Sequence, residues 1–75
     1  MIETYTEDEI VSVSHLKEIP VGSHIVGVDT FFSAIKTDLD EWTFDDRIDV
    51  MHHRSSKFIA DVFDGTEFEL YVKEG

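Results

Sequence analysis

Four histidines and seventeen carboxylates are the residues in this 75-residue chain that could do chemistry. His52 and His53 are adjacent, so on a strand they point to opposite faces and do not share one metal ion without distortion. His15 and His24 flank Pro20, and a hairpin there would bring them together beside an acid; turn or solvated histidines are the plainer reading. Among the acids, Asp38 to Asp49 fails as a calcium loop. An EF-hand places oxygen ligands at alternate positions with glycine sixth and glutamate twelfth, whereas counting from Asp38 gives Trp42 fifth, Thr43 sixth and Asp49 twelfth. No cysteine is present, no serine sits in a Gly-x-Ser-x-Gly setting, and no glycine-rich loop could cradle a phosphate. The expectation is a protein that is not an enzyme and takes no metal or cofactor.

What remains is the charge. Seventeen Asp and Glu against six Lys and Arg give −11 on a chain that is 41 % hydrophobic and 12 % aromatic, too apolar for a disordered acidic tail. That sign excludes direct nucleic-acid binding, which needs cations to displace counterions from phosphates, and disfavours anionic membranes. No apolar run approaches the ~18 residues of a membrane span and the first basic residue is Lys17, so neither a signal peptide nor an anchor is read. With no cysteine, a reducing cytoplasm is the expected location. Asn and Gln are also absent, so Ser, Thr and carboxylates supply the polarity. Adaptation to salt or heat would explain an acidic surface poor in amides, although four Lys against two Arg is not the arginine-dominated set expected of a halophile.

The elements that must hold these residues are read as one small domain, residues 1 to 75, without repeats. Pro20 and Gly22 mark a turn. Glu9 to Ser14 alternates with β-branched residues and reads as a strand, while Thr6 to Glu9 matches a helix capping box and leaves a short helix towards Glu18 as the alternative. Ser23 to Val28 and Thr30 to Lys36 read as strands. Phe31, Ile35, Leu39 and Trp42 also fit one helical face, but Asp38, Asp40 and Glu41 would then oppose the helix dipole. Trp42 to His52 reads as a strand with a bulge or bend at Asp46. Ser56 to Val62 and Thr66 to Val72 read as a hairpin turned at Phe63-Asp64-Gly65, with Gly65 left-handed in a bulged type I turn. That register puts Phe58, Ala60, Val62, Phe68, Leu70 and Val72 on one face. The fold class expected is all-β, about five antiparallel strands curled as a small SH3-like or OB-like barrel, with an α+β fold carrying one short helix as the alternative.

Ile19-Pro20-Val21-Gly22-Ser23, the alternating strand after it, Phe32, Lys36 and the acids before Trp42 resemble a pattern in small all-β proteins encoded by bacteriophages, especially those of actinobacteria. The usual leucine before the proline is Ile19 here. The pattern spans residues 19 to 42, describes a hairpin, and implies an all-β fold of mobile-element origin without catalytic residues.

In the hairpin register Asp61 faces Glu67, a like-charge pair that destabilises a sheet. Glu67 and Glu69 begin a row of anions ~6.6 Å apart, and Tyr71, Ile59 and Phe63 on the same side would anchor it. Asp38, Asp40, Glu41, Asp45, Asp46, Asp49, Asp61, Glu67, Glu69 and Tyr71 are therefore the candidate partner-binding residues. Carboxylates on a rigid sheet can stand in for a phosphate backbone, which makes the expected function that of a phage-type inhibitor. Its partner would be a host protein with a basic nucleic-acid-binding surface. The other reading is a small β interaction module or virion accessory whose acidity only keeps it soluble; −11 exceeds the magnitude of about 2 to 8 that suffices for that.

Overall fold

The computed structural model describes residues 1 to 74. They fold as one antiparallel sheet with two short helices, in the order β1 (Ile2–Tyr5), α1 (Val13–Glu18), β2 (His24–Gly27), β3 (Ser33–Asp38), β4 (Glu41–Asp45), β5 (Val50–Arg54), α2 (Ser56–Phe63) and β6 (Phe68–Tyr71). The sheet runs β1-β6-β2-β3-β4-β5. The fold is thus mostly β as the sequence suggests, but the sheet is open, with β1 and β5 at its edges, and is not closed into a barrel. No helix of the described residues is long and apolar enough to cross a membrane.

The C-terminal hairpin is overturned. Ser55 accepts the amide of Phe58 at 3.1 Å and caps α2. Ser56, Ile59, Ala60 and Phe63 are buried at helical spacing. The alternation of Phe58, Ala60 and Val62 that suggests a strand coexists with this stripe, and packing on the sheet selects the helix. Gly65 does adopt a positive φ of 78°, but it stops α2 instead of turning a hairpin; the Thr66 amide reaches back to the Phe63 carbonyl at 3.3 Å. Asp61 consequently faces Lys57 on the helix surface at 3.0 Å, and the expected Asp61–Glu67 repulsion does not exist. Ile59 and Phe63, expected as outer anchors, are fully buried.

The N-terminal strand over Glu9–Ser14 is overturned too. Ser12 caps α1 by accepting the His15 amide at 3.0 Å, and Pro20 prevents the helix from continuing. Thr6 and Glu9 make half of a capping box, with the Thr6 amide on the Glu9 carboxylate at 3.0 Å, but the Glu9 amide returns to the Thr6 carbonyl, closing a turn after which the chain runs on to bury Val11. Pro20 to Ser23 forms the expected turn, closed by a 3.1 Å bond from the Ser23 amide to the Pro20 carbonyl, with Gly22 at φ 96° in the position that demands it. Residues 29 to 42 are strand and turn, and not the rival helix. Trp42–His52 is not one strand but a hairpin of β4 and β5, bent where Asp46 accepts the amides of Ile48 and Asp49 at 2.9 and 2.8 Å.

Both helices pack on one side of the sheet. The inner row Leu70, Ile25, Ala34 and Phe44 runs across four adjacent strands in register. It is buried with Leu16 of α1, Ile59, Ala60 and Phe63 of α2, and Trp42 and Phe68. Phe44 and Phe63 meet edge to face at 6.3 Å, and Phe63 lies 5.5 Å from Phe68. The other side of the sheet carries no element. Its side chains form two rows across the strands: Thr4, Glu69, Val26, Ser33, Asp45 and Val50, then Ile2, Tyr71, His24, Ile35, Thr43 and, beside Thr43, His52, with Thr37 and Glu41 continuing the same face at the end where β3 turns into β4.

Candidate functional site

The strand order gathers loops that are remote in sequence. Residues 6 to 9 after β1, the β2–β3 loop, the β4–β5 turn and the segment from α2 into β6 all emerge at one end of the sheet. They bring Glu7, Asp8, Glu9, Asp29, Asp45, Asp46, Asp49, Asp64 and Glu67 together, nine of the seventeen carboxylates, with Arg47 as the only Lys or Arg there. Glu7, Asp29 and Glu67 line a shallow hollow of about 360 Å³ with Thr6, Thr30, Gly65 and Thr66. An adjoining hollow of about 370 Å³ adds Glu9 and Glu69. The carboxylates of Glu7, Asp8, Asp29, Asp64 and Glu67 make no hydrogen bond or ion pair among the described residues.

Apolar side chains stand among these acids. Phe31 in the β2–β3 loop is 69 % exposed and Ile48 in the β4–β5 turn 94 % exposed. Arg47, at a positive φ of 75°, lies over the Phe31 ring at 4.3 Å and so links the two loops. Besides Glu9, which accepts the Thr6 amide, three acids of the β4–β5 turn have internal duties. Asp45 accepts the Arg47 amide at 2.7 Å, and Asp49 accepts the Val50 amide at 2.9 Å. The amides of Asp49 and Ile48 hold the Asp46 carboxyl below the usual carboxylate range. Each shapes the turn that presents Ile48.

The candidate residues named from sequence therefore separate into four places. Asp45, Asp46, Asp49 and Glu67 meet at the acidic end. Glu69 and Tyr71 lie on the bare face, the Tyr71 hydroxyl donating to Glu69 at 3.1 Å and its ring stacked on His24 at 4.6 Å; the carboxylate bond raises the phenol pKa. Asp38, Asp40 and Glu41 occupy the opposite end, and Asp61 the outer surface of α2. At the opposite end the acids are engaged: Glu41 faces His53 at 3.1 Å, and Asp40 accepts the Ser56 amide at 3.0 Å. Ser56 in turn accepts the Trp42 indole N–H at 3.0 Å. The Ser56 hydroxyl and amide hold the Asp40 carboxyl below its ordinary value, against some desolvation.

Two polar arrangements went unseen in the sequence. Lys36, 2 % exposed on the inner face of β3, donates to the carbonyls of Leu16, Lys17 and Ile19 at 2.7, 2.7 and 2.8 Å. Burial lowers its pKa, opposed by Asp40. It satisfies the otherwise orphaned carbonyls at the C-terminus of α1 with a cation placed where the helix dipole favours one. Glu3 on β1 joins His15 of α1 at 2.8 Å and receives the Tyr5 hydroxyl at 3.0 Å. Burial and the Glu3 carboxylate push the Tyr5 pKa to about 12. The spacing signal for Lys36 was available, since it alternates inward with Ala34; its charge argued otherwise. Among the described residues no three His, Asp or Glu are arranged to hold a metal ion, so His15 and His24 do not form the metal site considered from sequence.

These features define the chain as a two-layer, mostly-β protein with one bare sheet face and one acidic end. No family model matches it, and neither a curated protein nor a solved structure does.

Proposed function

We propose that this protein is a binding protein and not an enzyme: an inhibitor of phage type that occupies the basic, nucleic-acid-binding surface of a host protein with its acidic end. The observation that carries the reading is the convergence of nine carboxylates from separate chain segments on one end, five of them without an internal partner. Fixed anions on a rigid support steer a basic partner into contact and repel nucleic acid from the same groove. Phe31 and Ile48 supply the apolar anchors that charge alone lacks. The partner is thus a protein whose cationic groove contains an apolar recess.

The test begins with capture of partners from a bacterial lysate at low salt and release at high salt, followed by affinity measurements on each recovered protein. The reading expects nucleic-acid-binding proteins whose affinity falls steeply with ionic strength and which duplex DNA displaces. Glu7→Lys, Asp29→Lys and Glu67→Lys together should weaken binding at least tenfold without unfolding the chain. Salt-insensitive binding that survives the triple variant would instead favour the interaction-module reading.

A further inference from the structure

We propose that the bare face of the sheet packs against the same face of a second copy of this chain, giving a four-layer helix–sheet–sheet–helix dimer. This inference does not depend on the acidic-end reading.

Charge is the first ground. The strand residues of the bare face include three carboxylates, Glu69, Asp45 and, at the β3–β4 end, Glu41, and no Lys or Arg, on a chain that is 31 % charged. All three are already bonded, Glu69 to Tyr71, Asp45 to the Arg47 amide and Glu41 to His53. Depletion of charge with aromatic enrichment is the compositional mark of an interface core. Ile2, Val26, Ile35 and Val50 expose between 37 and 57 % of their surface there, around the stacked His24–Tyr71 pair.

The same charge distribution selects the occupant. A cationic partner would be drawn to the acidic end and gains little at a face whose three strand carboxylates are already bonded. Two molecules of −11 repel each other through almost any other contact, so a nearly neutral face is the surface through which copies can meet. Size permits a small interface: the broad section of the molecule, loops included, is 27 × 26 Å, which bounds the contact at about 700 Å² per copy, below the ~800 Å² per partner of a standard interface. Two twisted sheets stack face to face at ~10 Å with their strands nearly aligned. A two-fold axis perpendicular to the strands makes the contact isologous and sends the two acidic ends to opposite poles, where they repel least.

Sedimentation equilibrium of the full chain tests this. The expected mass is twice 8.6 kDa at micromolar concentration, and association should tighten as salt rises, because screening relieves repulsion between like-charged copies. Partner binding at the acidic end has the opposite salt dependence, so the two readings fail separately. Ile35→Lys and Val26→Lys should each weaken self-association at least tenfold. Leu39→Lys, which removes an exposed apolar side chain from the β3–β4 turn, should leave it unchanged, and fluorescence of the buried Trp42 reports that each variant is folded. A wild-type chain that stays at 8.6 kDa up to millimolar concentration and high salt overturns the proposal, as does a dimer that both face variants preserve.

Discussion

The two ends of the sheet use the same residue type for different purposes. At the end bearing Pro20, the β3–β4 turn and the start of α2, five of the six Lys and Arg residues lie near five acids, and four of those acids, all but Glu18, have a partner among the described residues. Lys36 closes α1, Asp40 holds the first amide of α2, Glu41 meets His53, and Glu74 meets the N-terminal amine at 3.2 Å. At the other end one arginine accompanies nine acids, and more than half of those acids have no bonded partner among the described residues. A carboxylate with an internal partner answers to the fold, whereas one without such a partner is free to answer to something outside it. The comparison puts the bonded charges at one pole and, on the proposed function, the recognising charges at the other.

The variant expected to have the largest effect removes the clamp at the structural pole. Lys36→Met retains the apolar stem but strands three carbonyls at the end of α1, and should cost ~3 kcal/mol or more in denaturant unfolding. A neutral result would break the distinction between the poles. Gly65→Val forces a β-branched side chain to φ 78° where α2 stops, and should cost ~1 to 2 kcal/mol even though open space surrounds the position. Asp40→Asn should cost about 1 kcal/mol at neutral pH by weakening the hold on the start of α2. Because the folded-state pKa of Asp40 lies below its ordinary 3.8, its contribution is present above that value and disappears as pH falls through the folded value. Acid unfolding curves of wild type and Asp40→Asn should therefore converge at low pH. The smallest effect belongs to the acidic pole: Asp29→Lys and Glu67→Lys should each change stability by less than ~0.5 kcal/mol, and in the favourable direction, since each relieves repulsion without breaking a bond. A loss of 2 kcal/mol in either would show a structural duty there.

Legibility in the sequence follows the range of the interactions involved. The turn at Pro20–Gly22, the strands around Ile25 and Ala34 and the left-handed Gly65 rest on local chemistry and were readable. Helix α2 was not, because within eight residues a period-two pattern in Phe58, Ala60 and Val62 coexists with a helical stripe in Ser56, Ile59, Ala60 and Phe63; the capping Ser55 was the discriminating signal. Strand β1 was missed because it is four residues long and turns Glu3 towards the helices. Acid blocks were visible as blocks, but Asp40 and Asp45 are five residues apart and belong to opposite poles. Glu7, Asp29 and Glu67 are remote in sequence and share one hollow. Only the strand order brings that about, and it is set by contacts between segments that the sequence separates.

That strand order also bears on assembly during synthesis. Strand β6 lies between β1 and β2, so the last strand of the chain fills the middle of the sheet. Until it leaves the ribosome, β2 to β5 can pair as a meander while β1 has no partner and β2 shows a bare edge. An unpaired edge beside exposed Ile25 is a template for misassociation. Closing the sheet also means joining segments at nearly the full separation of the chain, as where the Val72 amide meets the Met1 carbonyl at 2.8 Å, which makes this a late and slow event.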